Sequence, residues 1–273
     1  MTTIARTEAD FAGRFRLGAV LGSGAEATVY RATDLSTGRP AAVKIFRKPA
    51  EGSLQRREVL IQSRIRHRHI VALTGHGGSA AGPGQTDYAA LELVEGRSLR
   101  AVLSSGAADP ALAAAWLRCL LKALMHIHAR GIVHHDIKPS NILIPHTPDG
   151  QVSGEAKLAD FGIATSSAVP SASSGSGTAH YMSPEQAAGA EAGTAGDIYS
   201  LGLVALECLT GSRPFPGTPL ESMVARTLRP PQVPATVDRR WARLITAMTT
   251  LDPAERATAR QALRLLRRAL PPA

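Results

Sequence analysis

"HHDIKPSN", residues 134–141, decides how the chain is read. It sets an acid, a lysine and an asparagine (Asp136, Lys138 and Asn141) within six positions, between the apolar runs "GIV" (131–133) and "ILI" (142–144). Lys-Pro-Ser-Asn is good turn chemistry by itself, so the stretch alone is compatible with a surface turn. The rest of the chain separates that reading from a chemical one.

At 273 residues, 44% of them apolar, the chain has enough material to bury a real core, as one large domain or two modest lobes. Its two cysteines, Cys119 and Cys208, lie in helical, mostly apolar settings. They read as core residues and argue against a disulfide scaffold or a thiolate zinc site. No run approaches 18 uncharged apolar residues, and no basic-then-apolar leader opens the chain. The expectation is a soluble, cytoplasmic protein with no membrane segment.

The formal net charge is +9, and arginine supplies 26 of the 31 basic residues. Aromatics are only 4%, which leaves little to stack on bases, so no specific nucleic-acid partner is expected. The densest basic runs are "RIRHRH" (64–69) and "RLLRRAL" (264–270). In the second, Arg260, Arg264, Arg267 and Arg268 share one helical face opposite Leu263, Leu266 and Leu270, the pattern of a solvated helix.

The first ninety-odd residues read mainly as strands. "FRLGAVLG" (15–22), "ATVYRAT" (27–33) and "PAAVKIF" (40–46) are short and β-prone, divided by glycine or by the turn "DLSTG". Helical periodicity takes over in "SLQRREVLIQSRIR" (53–66), followed by strand-like "IVALTGHG" (70–77) and "YAALELV" (88–94) around an exposed "GGSAAGPGQ". From Ser98 helices dominate: a long one over 110–131 stopped at Gly131, a buried one over 197–210, and others over 219–228, 238–249 and 258–270. A β-rich part followed by a helical part implies two lobes joined near Glu92–Gly96, with a cleft between them as a natural ligand site. "SSAVPSASSGSG" (166–177) reads as a mobile loop.

Several stretches could carry chemistry. "LGSGAEATV" (21–29) is Gly-x-Gly-x-x-Ala-x-Val, and glycines there let backbone approach a phosphate. A strand follows it rather than a helix, so it is not a dinucleotide fingerprint, and no Gly-Lys-Ser/Thr makes it a Walker loop. Lys44, in an otherwise apolar strand, needs counter-charge from a carboxylate such as Glu58 or from a phosphate. In "AKLADFGIA" (156–164), Asp160 ends an apolar strand ahead of Gly162. Asp160 and Asn141 both offer oxygen, which suits Mg²⁺ accompanied by phosphate. The histidines show no spacing recognised for zinc.

Taken in order, these motifs make the sequence resemble the protein kinase family, specifically the Hanks-type serine/threonine kinases also found in bacteria. The resemblance spans about 15–270. "LGSGAEATV" matches the glycine-rich loop, "AAVK" the strand with the phosphate lysine, and Glu58 the helix carboxylate paired to it. "HHDIKPSN" matches the catalytic loop, "DFG" the metal-binding turn, and "SPE" (183–185) the end of the activation segment. The implied fold is α+β and bilobal within a single kinase domain over 1–273: a small β-rich N-lobe with one main helix (15–94) and a larger helical C-lobe (95–270).

The resemblance also implies roles. Asp136 would accept the substrate proton, Lys138 would stabilise the transferring phosphoryl, and Lys44 would hold the α/β-phosphates while paired to Glu58. Asn141 and Asp160 would bind Mg²⁺, or Mn²⁺ in its place. Gly22, Ser23 and Gly24 would cover the phosphates of ATP. Adenine would lie between Leu21, Val29 and Ala42 on one side and Leu143 on the other, with backbone hydrogen bonds from Glu92 and Val94 and Leu91 at the rear. Buried Asp197 would brace the catalytic loop, Glu185 would pair with Arg256, and Thr178 would contact Asp136 and Lys138. Lys138 and "GTAHYMSPE" (177–185) favour Ser/Thr in protein substrates, with self-association serving autophosphorylation.

Two positions depart from the family pattern: Ala27 replaces the third glycine, and His135 replaces the arginine before the catalytic Asp. The rival readings are an ATP-binding pseudokinase or scaffold and, further off, a basic nucleic-acid-binding module.

Overall fold

A computed structural model of the chain describes residues 9–25, 27–47, 59, 61–79, 86–161 and 178–269. They fall into two compact units, Met1–Arg66 with Val71–Leu93, and His67–Ile70 with Val94–Ala273.

The first unit is built on a six-stranded sheet ordered β1-β2-β3-β4-β6-β5. Its strands are β1 (Ala9–Phe11), β2 (Phe15–Ser23), β3 (Ala27–Asp34), β4 (Arg39–Phe46), β5 (Leu73–Ser79) and β6 (Thr86–Glu92). Alternation along β4 divides the side chains between two faces. Val43 lies opposite Tyr30 and Ala90, and with Phe11, Phe15, Ala32 and Tyr88 it forms the core. Phe11 and Phe15 meet Tyr88 edge-on at 5.4 and 5.5 Å between ring centroids, the geometry aromatic quadrupoles favour. On the other face Val29 lies opposite Lys44, and Ala42 opposite Leu91.

The turn after β3 is locked electrostatically. The Asp34 carboxylate is buried and accepts from Arg14 Nε (3.2 Å) and Nη2 (2.7 Å), and from Ser36 N (3.0 Å) and Oγ (2.6 Å). The Arg14 and Ser36 hydrogen bonds hold its pKa far below the usual carboxylate range.

The second unit carries the three-stranded sheet β7 (Gly96–Ser98), β8 (Ile142–Pro145) and β9 (Lys157–Leu158). Its helices are α1 (Leu99–Leu103), α2 (Pro110–His128), α3 (Pro184–Ala187), α4 (Thr194–Thr210), α5 (Pro219–Leu228), α6 (Arg239–Met248) and α7 (Ala259–Ala269). Asp109 caps α2, its carboxylate accepting from Ala111 N at 2.7 Å with Pro110 in the first turn. The chain leaves that helix through Gly131 at φ +68°. α2 packs on α4 and α7, and α4 on α6. A Cβ at Gly202 would come within 2.7 Å of Thr249, so α4 can approach α6 this closely only with glycine there.

α2 is long and apolar enough on length and mean hydropathy (1.3) to span a bilayer, a test that core helices of globular proteins also pass. It carries Arg118 and Lys122 and buries Trp116, Leu117, Leu120, Leu121, Leu124 and Ile127. Each such side chain contributes about 1.5–3 kcal/mol when buried. In α7 the arginines named above are exposed while Ala262, Leu263 and Leu266 are buried, the solvated face expected of them.

Some boundaries differ from the sequence reading. The strand expected over 70–77 runs Leu73–Ser79, because residues 67–70 are bound elsewhere: Leu158 N donates to His69 O (2.9 Å) and Ile70 bridges Leu158. Gly77, Gly78 and Ser79, expected in the glycine-rich connection, therefore belong to this strand. β1 was not anticipated; it is three residues long and turns back through Ala12 (φ 55°) and Gly13 (φ 64°). α4 begins at Thr194 rather than Asp197. Glu58, Gly162, residues 80–85 and 166–177, and most of the helix expected over 53–66 lie outside the described residues.

Asp34→Asn should destabilise the fold by about 2 kcal/mol, the value of charge-assisted hydrogen bonds to a buried group. Urea denaturation checks this; a midpoint equal to wild type would contradict the lock.

Candidate active site

β8 and the 3₁₀ turn Pro139–Asn141 before it deliver the polar cluster read in "HHDIKPSN". Lys138 Nζ donates to Asp136 Oδ2 at 2.7 Å and to Thr178 Oγ1 at 2.7 Å. Asn141 Nδ2 donates to the same Oδ2 (2.8 Å) and to Asp136 O (3.0 Å). Asp136 Oδ2 is therefore held by two donors. Oδ1 is buried and has no hydrogen-bond partner among the described residues. A buried carboxylate oxygen without a donor is costly, so its retention points to a group that arrives from outside.

The loop hangs on Asp197, in the first turn of α4 and fully buried. Its carboxylate accepts from His134 N (2.8 Å) and His135 N (2.9 Å) and bonds His128 Nε2 (2.8 Å). Burial pushes its pKa up, but the His128 hydrogen bond and the His134 backbone amide outweigh it, and the group ends below its ordinary value.

His134 is buried, and burial depresses its pKa, so the ring is neutral. Nε2 faces Ala159 O at 3.2 Å and Asp136 N faces Nδ1 at 3.3 Å. A carbonyl can only accept, so Nε2 carries the proton and Nδ1 receives the Asp136 amide. One side chain thus fixes Asp136 relative to the backbone immediately before Asp160. The His134 and Phe161 rings lie 4.7 Å apart.

Two non-glycine residues here adopt left-handed backbone, His135 (φ 66°) and Asp160 (φ 54°). Such conformations cost of order 1–3 kcal/mol and concentrate at functional sites. Ala159 N donates to Asn141 O (2.8 Å), which places the backbones of the two expected metal ligands side by side. With Asn141 Nδ2 turned to Asp136, the residues supply an amide oxygen and a carboxylate, hard donors that fit Mg²⁺.

The segment that resumes at Thr178 is firmly held. Tyr181 OH bonds Glu207 and accepts from Arg100 Nη2 at 2.6 Å. Arg226, fully buried with its pKa pushed down by burial to about 10, donates to Met182 O and to Ser222 O (2.9 Å). Arg256 forks onto Glu185 at 2.7 and 3.0 Å and satisfies its remaining donors on Ala195 O, Thr250 O and Leu251 O. Thr178 meets Lys138 and so reaches Asp136 through it. Arg226 was missed in the sequence, where an arginine on an amphipathic helix reads as solvated.

In the first unit the expected nucleotide residues gather on one sheet face. Lys44, Val29, Ala42 and Leu91 share it by register, with Lys44 Nζ 5.6 Å from the Phe46 ring centroid. Leu21 is exposed, beside a register irregularity between Val20 and Gly22. Gly24 N donates to Ala27 O (2.9 Å), and Ser23 Oγ accepts from Arg47 Nη2 (2.7 Å). Gly22 and Gly24 have no positive φ, and a Cβ on either would touch nothing closer than 3.9 Å. Neither conformation nor packing among the described residues demands glycine there. Glu92 N is engaged with Ala72 O (2.9 Å); Val94 lies in the second unit, as does Leu143, which pairs with Ser98 and Lys157.

The protein kinase domain model matches residues 15–265. PknA of Mycobacterium tuberculosis, a serine/threonine-protein kinase, is 36% identical over 243 residues, covering 85% of this chain and 55% of its own. A probable serine/threonine-protein kinase, PknB of Corynebacterium glutamicum, is 40% identical over 217 residues (76% and 33%), and the serine/threonine-protein kinase PrkC of Bacillus subtilis is 37% identical over 238 (84% and 35%). The chain belongs to the protein kinase family. It spans about half, or less, of the length of these relatives.

Replacing Asp197 by Ala leaves two buried amides without an acceptor, at about 1–3 kcal/mol each, and should lower stability by at least about 2 kcal/mol. Because the folded pKa of Asp197 is depressed, its contribution is present above the ordinary value of 3.8 and is lost as pH falls through the lower folded value. Chemical denaturation across that range checks both points: the difference between wild type and variant should shrink on the acid side. A constant difference would contradict the assignment.

Proposed function

We propose that this protein kinase domain transfers the γ-phosphoryl group of ATP to serine and threonine hydroxyls of protein substrates, with Asp136 as proton acceptor. Asp136 Oδ1 carries the reading, because it is the buried oxygen of a carboxylate whose other oxygen is already held by Lys138 and Asn141. In-line transfer forms a bond from the substrate oxygen to phosphorus and breaks the bond to the ADP oxygen, while Oδ1 takes the hydroxyl proton. Lys138, fixed between Asp136 and Thr178, neutralises charge on the transferring group. Lys44 holds the α/β-phosphates with Glu58 as its carboxylate partner. Asn141 and Asp160 would hold Mg²⁺, or Mn²⁺ in its place, which would supply positive charge to the phosphates.

Leu21, Val29, Ala42 and Leu143 contact adenine, Leu91 bounds the pocket, and Glu92 O and Val94 bond the base. Gly22, Ser23 and Gly24 cover the phosphates, which accounts for glycines that no contact among the described residues requires. A requirement for ATP supports a cytoplasmic location for the domain. Self-association of two copies would serve autophosphorylation in trans.

Labelled ATP, Mg²⁺ and a basic acceptor protein test the reading. Wild type should label the acceptor, with labelling lost in Asp136→Asn and Lys44→Ala. ATP binding without transfer would leave a pseudokinase, and salt-sensitive DNA binding without nucleotide binding would leave a nucleic-acid module. Gly24→Ala should keep wild-type stability within about 0.5 kcal/mol while raising KM for ATP; an unchanged KM would contradict the phosphate role.

His135 is held through its backbone, its amide on Asp197 and its carbonyl on Gln186 Nε2 (3.3 Å). An imidazole lacks the planar fork of donors by which arginine clamps a loop phosphate with paired charge-assisted bonds. The domain should therefore keep most of its rate after dephosphorylation of Ser171, Ser173, Ser174, Ser176 or Thr178. A loss of about tenfold or more, 1.4 kcal/mol in the barrier, would overturn this.

A further inference from the structure

We propose that His69, Cys119 and Glu155 form a binding site for a divalent transition-metal ion of the Zn²⁺ type, apart from the phosphoryl-transfer residues. Their ligand atoms all lie within 4.8 Å of one another. His69 Nδ1 is 3.3 Å from Glu155 Oε2, and Cys119 Sγ is 3.9 Å from the same oxygen. Tetrahedral zinc with ordinary bond lengths separates nitrogen from oxygen by about 3.3 Å and sulfur from oxygen by about 3.6 Å. The histidine and carboxylate already stand at that spacing; the sulfur lies a few tenths of an ångström too far from Oε2, and its separation from the imidazole, within 4.8 Å, closes to about 3.5 Å when a metal is bound.

An independent observation points into the same space. The His69 side chain is only 4% exposed, and its Nδ1 is buried without a hydrogen-bond partner among the described residues. The scaffold is fixed before any ion binds. His69 O accepts from Leu158 N (2.9 Å), Cys119 lies within α2, and Trp116 Nε1 one turn earlier donates to Ser153 O (2.7 Å).

The donor set selects the metal: a thiol, an imidazole and a carboxylate suit zinc and its neighbours rather than Mg²⁺ or Ca²⁺. Burial keeps the His69 ring neutral, as a ligand must be, and keeps Cys119 a thiol in the free protein. Metal binding therefore forms the sulfur–metal bond and releases the thiol proton to solvent. Arg68 engages the other carboxylate oxygen, Oε1, at 3.2 Å, leaving Oε2 toward the site. The Arg68 and Lys122 charges oppose a cation, and the thiolate and carboxylate offset them. Glu155 is half-exposed, so water reaches the fourth position. An occupied site would tie residues 67–70 and α2 to the strand leading into Asp160.

Cobalt(II) titration of the whole chain, freed of metal by chelation, tests this. One equivalent should produce the near-ultraviolet charge-transfer band of thiolate-bound cobalt, and zinc should abolish it. The band should persist in Cys208→Ser and vanish in Cys119→Ser. His69→Gln and Glu155→Gln should each weaken cobalt binding at least about tenfold, the loss that even outer partners of metal ligands produce. Glu155→Gln, on a half-exposed side chain, should keep the metal-free melting temperature of wild type, so its effect reports the site rather than the fold. No band in wild type, an equal band in Cys119→Ser, or unchanged affinity in Glu155→Gln would each overturn the proposal. None of these results depends on kinase activity.

Discussion

The helical unit is organised around one buried negative charge. Taking a carboxylate out of water costs several kcal/mol, recovered only where donors converge on it. Asp197 has three, two of them backbone amides of the catalytic loop, and it sits in the first turn of α4, where unpaired N–H groups favour an anion. A loop residue elsewhere can adjust to a neighbour. Here the amides of His134 and His135 must meet one oxygen each, which fixes where Asp136 begins. His134 then fixes Asp136 from the other side through its Nδ1, while its Nε2 grips Ala159.

The cost of this arrangement appears as strain. His135 and Asp160 take left-handed backbone that β-strand or helix neighbours would never impose on them. Both flank anchored points: His135 follows the Asp197 latch, and Asp160 follows the Ala159 amide bound to Asn141 O. The bonds around them over-determine a geometry the residues would not choose alone. The same logic explains the polar investment after Thr178. Tyr181, Glu185, Arg226 and Arg256 hold the chain that carries Thr178 onto Lys138, so that the lysine is presented to Asp136 in one orientation.

Much of this was legible in the sequence, for identifiable reasons. Strands β2 to β4 follow from short β-prone runs divided by glycine or by the turn "DLSTG", and α5 to α7 match the helices expected over 219–228, 238–249 and 258–270. Asp136, Lys138, Asn141 and Asp160 stood out because polar groups were set tightly between apolar runs. Other features had no local signal. Asp34 reads as a turn residue until Arg14, twenty positions away, is folded onto it. Arg226 looks solvated because its partners, Ser222 and Met182 O, are fixed by tertiary packing. β1 is too short for periodicity to register. The cysteines and histidines showed no metal spacing because Cys119 and Glu155 are 36 residues apart and come together only when α2 packs against the start of β9.

The account stands most directly on the claim that Asp197 sets the reacting position of Asp136 without touching nucleotide. Asp197→Asn keeps the side chain's shape but replaces one acceptor oxygen with a donor, so one loop amide loses its partner. Steady-state phosphoryl transfer and equilibrium ATP binding, measured on the same preparation, separate the two roles. The prediction is a fall in kcat of at least about tenfold, equal to the loss of one charge-assisted hydrogen bond, with ATP affinity unchanged. An unchanged kcat, or a loss explained by weaker ATP binding, would contradict it.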